Sequence, residues 1–304
     1  MTARPPDPAP ADDVVAATRS LDTLPTLPLV AVAAAEVLQS PRATITQIAE
    51  ILRGDPTLSA KLLRLVNSAY FGIPGGVSDV SRAIPFIGFS TLHQLVLSVS
   101  VFETLELERA SGFDPRALWL HAITVGTCAR VLAEDLGMTN AGTCFTAGLL
   151  HDVGKIALAK LAPEQLARAY ACARADGVSM DEAERRVGLP SHDVVGARLA
   201  RQWRFPPELA APIEQHHHVH QPGFRARVSP PLRALTEVVA AADLVAHRCA
   251  LSTDASLLDP PLDRAAGDLF ERVGFSAARQ RELHAKTMRQ LEVSKVFLTL
   301  VDGG

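Results

Sequence analysis

Six of the ten histidines fall where they could act together. His121, His151, His192 and the run His216-His217-His218 each sit in or at the end of a segment that reads as a helix. Two acids join them. Asp152 directly follows His151, close behind Gly148-Leu149-Leu150, and Asp243 interrupts the apolar run Val238–Leu244. Both acids are therefore expected near the core, where an unpaired carboxylate costs several kcal/mol. A cation should sit beside each. Imidazole nitrogens and carboxylate oxygens gathered from several helices suit a divalent ion such as Fe, Mn, Zn or Mg, with coordination positions left for water where a site is catalytic. The expected metal set is His121, His151, Asp152, His192, His216, His217 and Asp243. Single members have ordinary readings too: a His-Asp doublet is common by chance, and the cluster before Gln221-Pro222-Gly223 could be a solvated loop. His93, His247 and His284, as lone helical histidines, are read as ordinary core or surface residues.

The elements that must position this set read as helical almost throughout. Thr44-Ile45-Thr46-Gln47 has the form of a capping box, and Asp55-Pro56 that of an N-cap with proline at the first helical position. Behind it, Leu58, Leu62, Leu65 and Val66 form one apolar stripe, which Gly72, Gly75 and Gly76 bring to an end. Ser90 is expected to open a long apolar helix to Leu105, Asp114-Pro115 the next as far as Gly137, and Ser179-Met180-Asp181-Glu182 a second capping box. Ser191, Pro206-Pro207, Pro230 and Pro261 start four more. No strand-period run or fixed-period repeat is convincing, so the fold class is all-α. The polar stretch Glu106–Phe113 divides the helices, giving a disordered tail (1–20), an N-terminal helical half (21–108), a second half (109–254) and a charged, amphipathic C-terminal segment (255–304) expected to pack back on the body.

Composition narrows the function. With 48% hydrophobic and 21% charged residues the chain can build a large core. A net charge of -3 and pI near 6.4 supply no global field for phosphate backbones or anionic lipids, so neither nucleic acid nor membrane is an expected partner. The longest apolar runs, around Leu29–Leu38 and Val238–Ala246, are broken by Glu36 and Asp243. The proline-rich start, Met1 to Asp13, lacks the apolar region of a signal peptide. Cys128, Cys144, Cys172 and Cys249 show no C-x-x-C spacing and read as reduced thiols, which points to the cytoplasm.

The order His121, then Gly148-Leu149-Leu150-His151-Asp152-Val153-Gly154-Lys155, His192, His216-His217 and Asp243 resembles the metal-binding pattern of the HD superfamily, which includes many helical phosphohydrolases. The first half sharpens this. Leu24-Pro25-Thr26-Leu27-Pro28, Asp55-Pro56-Thr57-Leu58, Leu65-Val66-Asn67-Ser68-Ala69, Ala83-Ile84 and Gly88 resemble the HDOD family, HD-related output domains of bacterial signalling proteins. The resemblance covers about 21–250 and implies an HD-like helical core with an added N-terminal helical subdomain. Set against the related HD-GYP phosphodiesterases, position 117 is Ala where they carry an extra acid, and the Gly-Tyr-Pro motif after the paired histidines is absent. Lys155 matches their HD-x-G-K lysine; on that resemblance it would steady a phosphate or a developing leaving-group charge, and otherwise it is a solvated helix residue.

Two functions compete. One is a signalling module that binds a partner protein supplied in trans, or a nucleotide. The other is a metal-dependent phosphohydrolase in which bound ions activate water. The complete ligand set favours hydrolysis; the missing Gly-Tyr-Pro and the missing acid favour the module, which is the preferred expectation.

Overall fold

The computed structural model describes residues 26–40, 42–104, 115–248, 264–273 and 277–300. The tail at 1–20, the link Glu106–Phe113, Cys249 and the proposed start at Pro261 lie outside them. The described residues are helical and contain no strand. In chain order the α-helices are α1 (Leu29–Gln39), α2 (Ile45–Leu52), α3 (Pro56–Val66), α4 (Ile84–Thr104), α5 (Pro115–Asp135), α6 (Ala141–Leu150), α7 (Val153–Leu161), α8 (Pro163–Asp176), α9 (Met180–Arg186), α10 (His192–Gln202), α11 (Pro207–Gln215), α12 (Phe224–Arg227), α13 (Pro230–Arg248), α14 (Arg264–Arg272) and α15 (Ala277–Ser294).

Local chemistry sets several of the starts. Thr44 accepts from the Gln47 N–H while the Gln47 side chain returns to the Thr44 N–H, which completes a capping box, and Asp55 caps α3 through Leu58 N. Leu58, Leu62, Leu65 and Val66 are all fully buried, and α3 stops at Val66. Asn67 then staples the following turn, accepting from Val77 N at 2.7 Å and donating to Val77 O at 2.8 Å, while Gly72, Gly75 and Gly76 supply its left-handed residues. Ser179 opens α9 as expected but not as a capping box: its hydroxyl bonds Asp181, and no side chain caps the helix. The helix expected from Ser90 begins instead at Ile84, and a break at Gly88 (φ 79°, ψ 164°) bends it. The stretch Val80–Thr104 has the length and apolarity of a membrane span, yet most of it is buried in the body.

The halves pack together, α4 lying against α6, and α15 returns to α5. Lys286 reaches Asp135 at 2.8 Å, and Phe297 is buried against Tyr70 and Phe145. A cleft opens between the halves, between Leu38, Phe89 and His93 on one side and Asn140, Thr143 and Pro207 on the other, and none of the expected metal residues lines it.

Two backbone crossings in the second half depend on glycine. A Cβ on Gly148 of α6 would lie 2.8 Å from Gly126 Cα of α5, and one on Gly154 of α7 would lie 1.8 Å from the His192 carbonyl oxygen of α10. Gly154→Ala is therefore expected to destabilise the protein by about 3 kcal/mol or more through backbone displacement. Gly142→Ala, whose Cβ would meet nothing nearer than Gln94 Oε1 at 3.7 Å, should be neutral or stabilising by up to about 1 kcal/mol. Urea unfolding of the two variants checks the contrast.

Candidate metal centre

The glycine crossings fix where the polar side chains meet. His151 closes α6 and Asp152 precedes α7, so the doublet occupies the corner between them. Because α6 lies against α5 at Gly126/Gly148, His121 of α5 faces that corner; because α7 lies against α10 at Gly154, so does His192. The short 3₁₀ turn His216–His218 after α11 and Asp243 on α13 complete the ring.

All seven expected residues converge. They form two groups, Asp152 with His192, His216 and His217, and His121 with His151 and Asp243, each with its donor atoms within 4.8 Å of one another. Asp152 joins them. Its Oδ2 lies 3.4 Å from His151 Nε2 and 3.6 Å from His121 Nε2, while its Oδ1 lies 3.3 Å from His192 Nε2 and 3.7 Å from His216 Nε2. Donors about 2.1 Å from a common tetrahedral ion sit about 3.4 Å apart, so these spacings fit co-ligation on either side of the carboxylate. His151 Nε2, His216 Nε2, His121 Nε2, Asp152 Oδ1 and Asp243 Oδ1 are buried without an aligned hydrogen-bond partner, the condition expected of atoms shaped for a cation.

The outer hydrogen bonds hold the rings in one sense. His151 Nδ1 donates to Gly148 O at 2.6 Å, His216 Nδ1 to Pro212 O at 2.8 Å and His192 Nδ1 to Glu184 at 2.8 Å, leaving each Nε2 to face inward. Glu184, fully buried on α9, also accepts the His192 backbone N–H at 2.8 Å and so takes the role of the α10 cap. Asp193 accepts from His218 Nε2 at 2.7 Å, tying the 3₁₀ turn to α10. Lys155 is buried, with Nζ 2.8 Å from Asp152 Oδ2, so it is not the solvated residue of the ordinary reading.

Sequence reasoning missed two residues. Glu184 sits in a charged run whose burial no local pattern announces. His247, read as ordinary, belongs to this cluster: its Nε2 is 3.1 Å from Asp243 Oδ1. The signal was its i, i+4 spacing from Asp243, which puts both on one helix face.

Electrostatics follow from the crowding. Burial raises the Asp152 carboxyl's pKa, but His151 and Lys155 outweigh it and hold the group well below the usual range; Asp243 behaves likewise beside His247 and His121. Burial lowers His151, yet Asp152 and Asp243 lift it to about 10, whereas burial with His151 nearby takes His216 down to about 4. Burial and the other imidazoles also keep His217 well below its ordinary value.

The model of the HDOD domain family matches residues 24–219. The chain belongs to the HDOD family. Asp243 and His247 lie beyond the matched span. An HDOD protein of unknown function from Geobacter sulfurreducens shares the fold at TM-score 0.71 and 21% identity, covering 96% of this chain and 99% of its own. A Shewanella amazonensis protein provisionally designated a phosphohydrolase is similar at TM-score 0.68 and 25% identity over 93% of this chain and 98% of that one. One from Marinobacter aquaeolei, provisionally designated a signal transduction protein, gives 0.70 and 18% over 99% and 68%. An uncharacterized protein of Treponema pallidum is 26% identical over 204 residues, 66% of this chain; the chain spans only 39% of that relative's length.

The folded pKa of His151, about 10, lies above its ordinary 6.5. In metal-free protein its protonation therefore contributes stability that is fully present below about pH 6.5 and lost as the pH rises through about 10. Chemical unfolding of metal-stripped protein from pH 6 to 10 should show this alkaline loss, and His151→Gln should flatten it.

Proposed function

We propose that this HDOD chain is a regulatory signal-transduction module whose HD half is assembled around two divalent ions, and that it acts by binding a partner protein supplied in trans, or a nucleotide. His121, His151, Asp152, His192, His216, His217 and Asp243 are the proposed ligands. The observation that carries the reading is a complete donor set that is almost wholly enclosed: of the seven residues only His217 is partly exposed. Lys155 is spent on Asp152 Oδ2, where it offsets buried negative charge instead of extending towards a phosphate. Ions held this way would tie α5, α7, α10, the 3₁₀ turn and α13 into one arrangement, and a ligand could act by favouring that arrangement over another. Membership of the HDOD family supports the signalling role.

Hydrolysis is the second reading, favoured by the completeness of the set and by the designation of the Shewanella relative. Bound divalent ions would there lower the pKa of water to make a nucleophile. The residues present can hold such ions; Asp152 is the shared carboxylate, and His217, at the exposed edge, is the side from which a phosphoester would approach.

Protein purified without a His tag or chelator should carry about two ions per chain, and Asp152→Asn close to none. Neither should turn over cyclic di-GMP or a generic phosphodiester at about 1–10³ per second. Turnover in that range, abolished by Asp152→Asn, would move the conclusion to hydrolysis; equal metal in both proteins would remove the centre altogether.

A further inference from the structure

Where the two halves meet the C-terminal segment, the chain leaves a pocket of about 280 Å³, and none of the expected metal residues lines it. Packed interiors leave few voids larger than a water molecule, and a cavity of about 150 Å³ already takes one benzene ring, so this space has room for a fused pair of rings. Both halves supply its wall. Tyr70 comes from the turn after α3 and Phe86 from α4, while Arg130 and Glu134 come from α5 and Phe145 from α6. Phe297, in the 3₁₀ turn Lys295–Leu300, completes it, with its ring 5.4 Å from that of Tyr70 and 5.0 Å from that of Phe145, centroid to centroid. Phe86 is 62% exposed, which leaves its ring available for stacking on an occupant.

The polar groups decide what kind of ring the wall accepts. Arg130 Nε donates to Glu134 Oε1 at 2.8 Å, and the guanidinium carbon lies 4.8 Å from the centre of the Tyr70 ring. This pair has no net charge to offer an anion, but it sets N–H donors and a carboxylate acceptor side by side. Gln94 Nε2 donates to Thr143 Oγ1 at 2.7 Å and Gln94 Oε1 accepts from Thr146 Oγ1 at 3.3 Å, a bridge from α4 to α6 that keeps this side of the pocket set before anything binds. An acyl chain would strip water from these polar groups and return no hydrogen bond. We propose that the pocket binds an uncharged oxopurine, as the free base or its nucleoside. The rings stack on the aromatic wall, the carbonyl edge accepts from Arg130 and the neighbouring N–H donates to Glu134; adenine would bring an amino donor to the guanidinium instead. The site is separate from the metal centre and does not depend on it. The two are joined by α6, which lines the pocket with Gly142, Phe145 and Thr146 and ends at His151. A ligand touching both halves shifts their packing only as far as its affinity differs between the arrangements.

Isothermal titration of the full chain as purified, with guanosine and with adenosine, tests this. Guanosine should bind with a Kd of about 10–100 µM, and adenosine at least about 10-fold more weakly. Gly142 gives a way to fill the pocket, since a Cβ there would meet nothing nearer than Gln94 Oε1 at 3.7 Å. Gly142→Leu should therefore abolish guanosine binding while the metal content and the urea midpoint hold. Arg130→Met should lower guanosine affinity about 10-fold and erase the preference over adenosine. No binding of guanosine below about 1 mM, equal affinity for the two nucleosides, or binding that survives Gly142→Leu would each overturn the proposal. Should Gly142→Leu fail to fold, Arg130→Met decides, because unchanged guanosine affinity in that variant contradicts the assigned edge. Guanosine binding in a chain that carries no metal would leave this pocket standing and remove the metal centre.

Discussion

A carboxylate sealed into the core between two groups of imidazoles is the constraint on which the second half of this protein depends. Asp152 is 2% exposed, and its two oxygens face opposite ways, each towards a different set of ring nitrogens. Asp243 and Glu184 are buried close by, and Lys155 at Asp152 Oδ2 is the lysine that meets this negative charge directly. Without further positive charge the site must draw protons, which is why His151 is held protonated while its neighbour His216 is driven neutral. A divalent ion would remove that conflict: it would satisfy the carboxylates and leave the rings of His151, His192 and His216 in the neutral form that their outer hydrogen bonds already select.

The helices can deliver these side chains because backbones touch at two places. Gly126 against Gly148 and Gly154 against the His192 carbonyl bring α5, α6, α7 and α10 closer than side chains would allow, and the His151-Asp152 corner lies between the two contacts. Catalytic-looking residues and bare glycines are thus one device. The same economy appears around His192, where Glu184 both caps α10 and orients the ring, and at the 3₁₀ turn, which the Asp193–His218 pair anchors to that helix. Local unfolding of any one of these elements would release ligands from the others.

Much of this was legible in the sequence because it was written in short-range signals. Capping residues marked α2 and α3, apolar spacing marked the buried stripe of α3, and the acids inside apolar runs marked the site. What escaped was tertiary. Glu184 lies among Asp181, Glu182, Arg185 and Arg186, and only the packing of α9 on α10 buries it while Arg185 and Arg186 stay exposed. His247 looked like any helical histidine because its meaning comes from His121, more than a hundred residues earlier. Asn67, quoted only as part of a motif, closes a turn ten residues long. A cleft opens between the halves, but the metal residues sit away from it, on the helices of the second half.

The central claim is that Asp152 is a bridge between two ions and not an isolated buried acid. Anomalous diffraction from crystals of the protein as purified, recorded at the absorption edges of iron, manganese and zinc, tests it most directly. The account predicts two peaks about 4 Å apart, one beside each Asp152 oxygen, enclosed by the two imidazole groups. Clear density at Asp152 with no anomalous peak on either side, in protein never exposed to chelator, would contradict it.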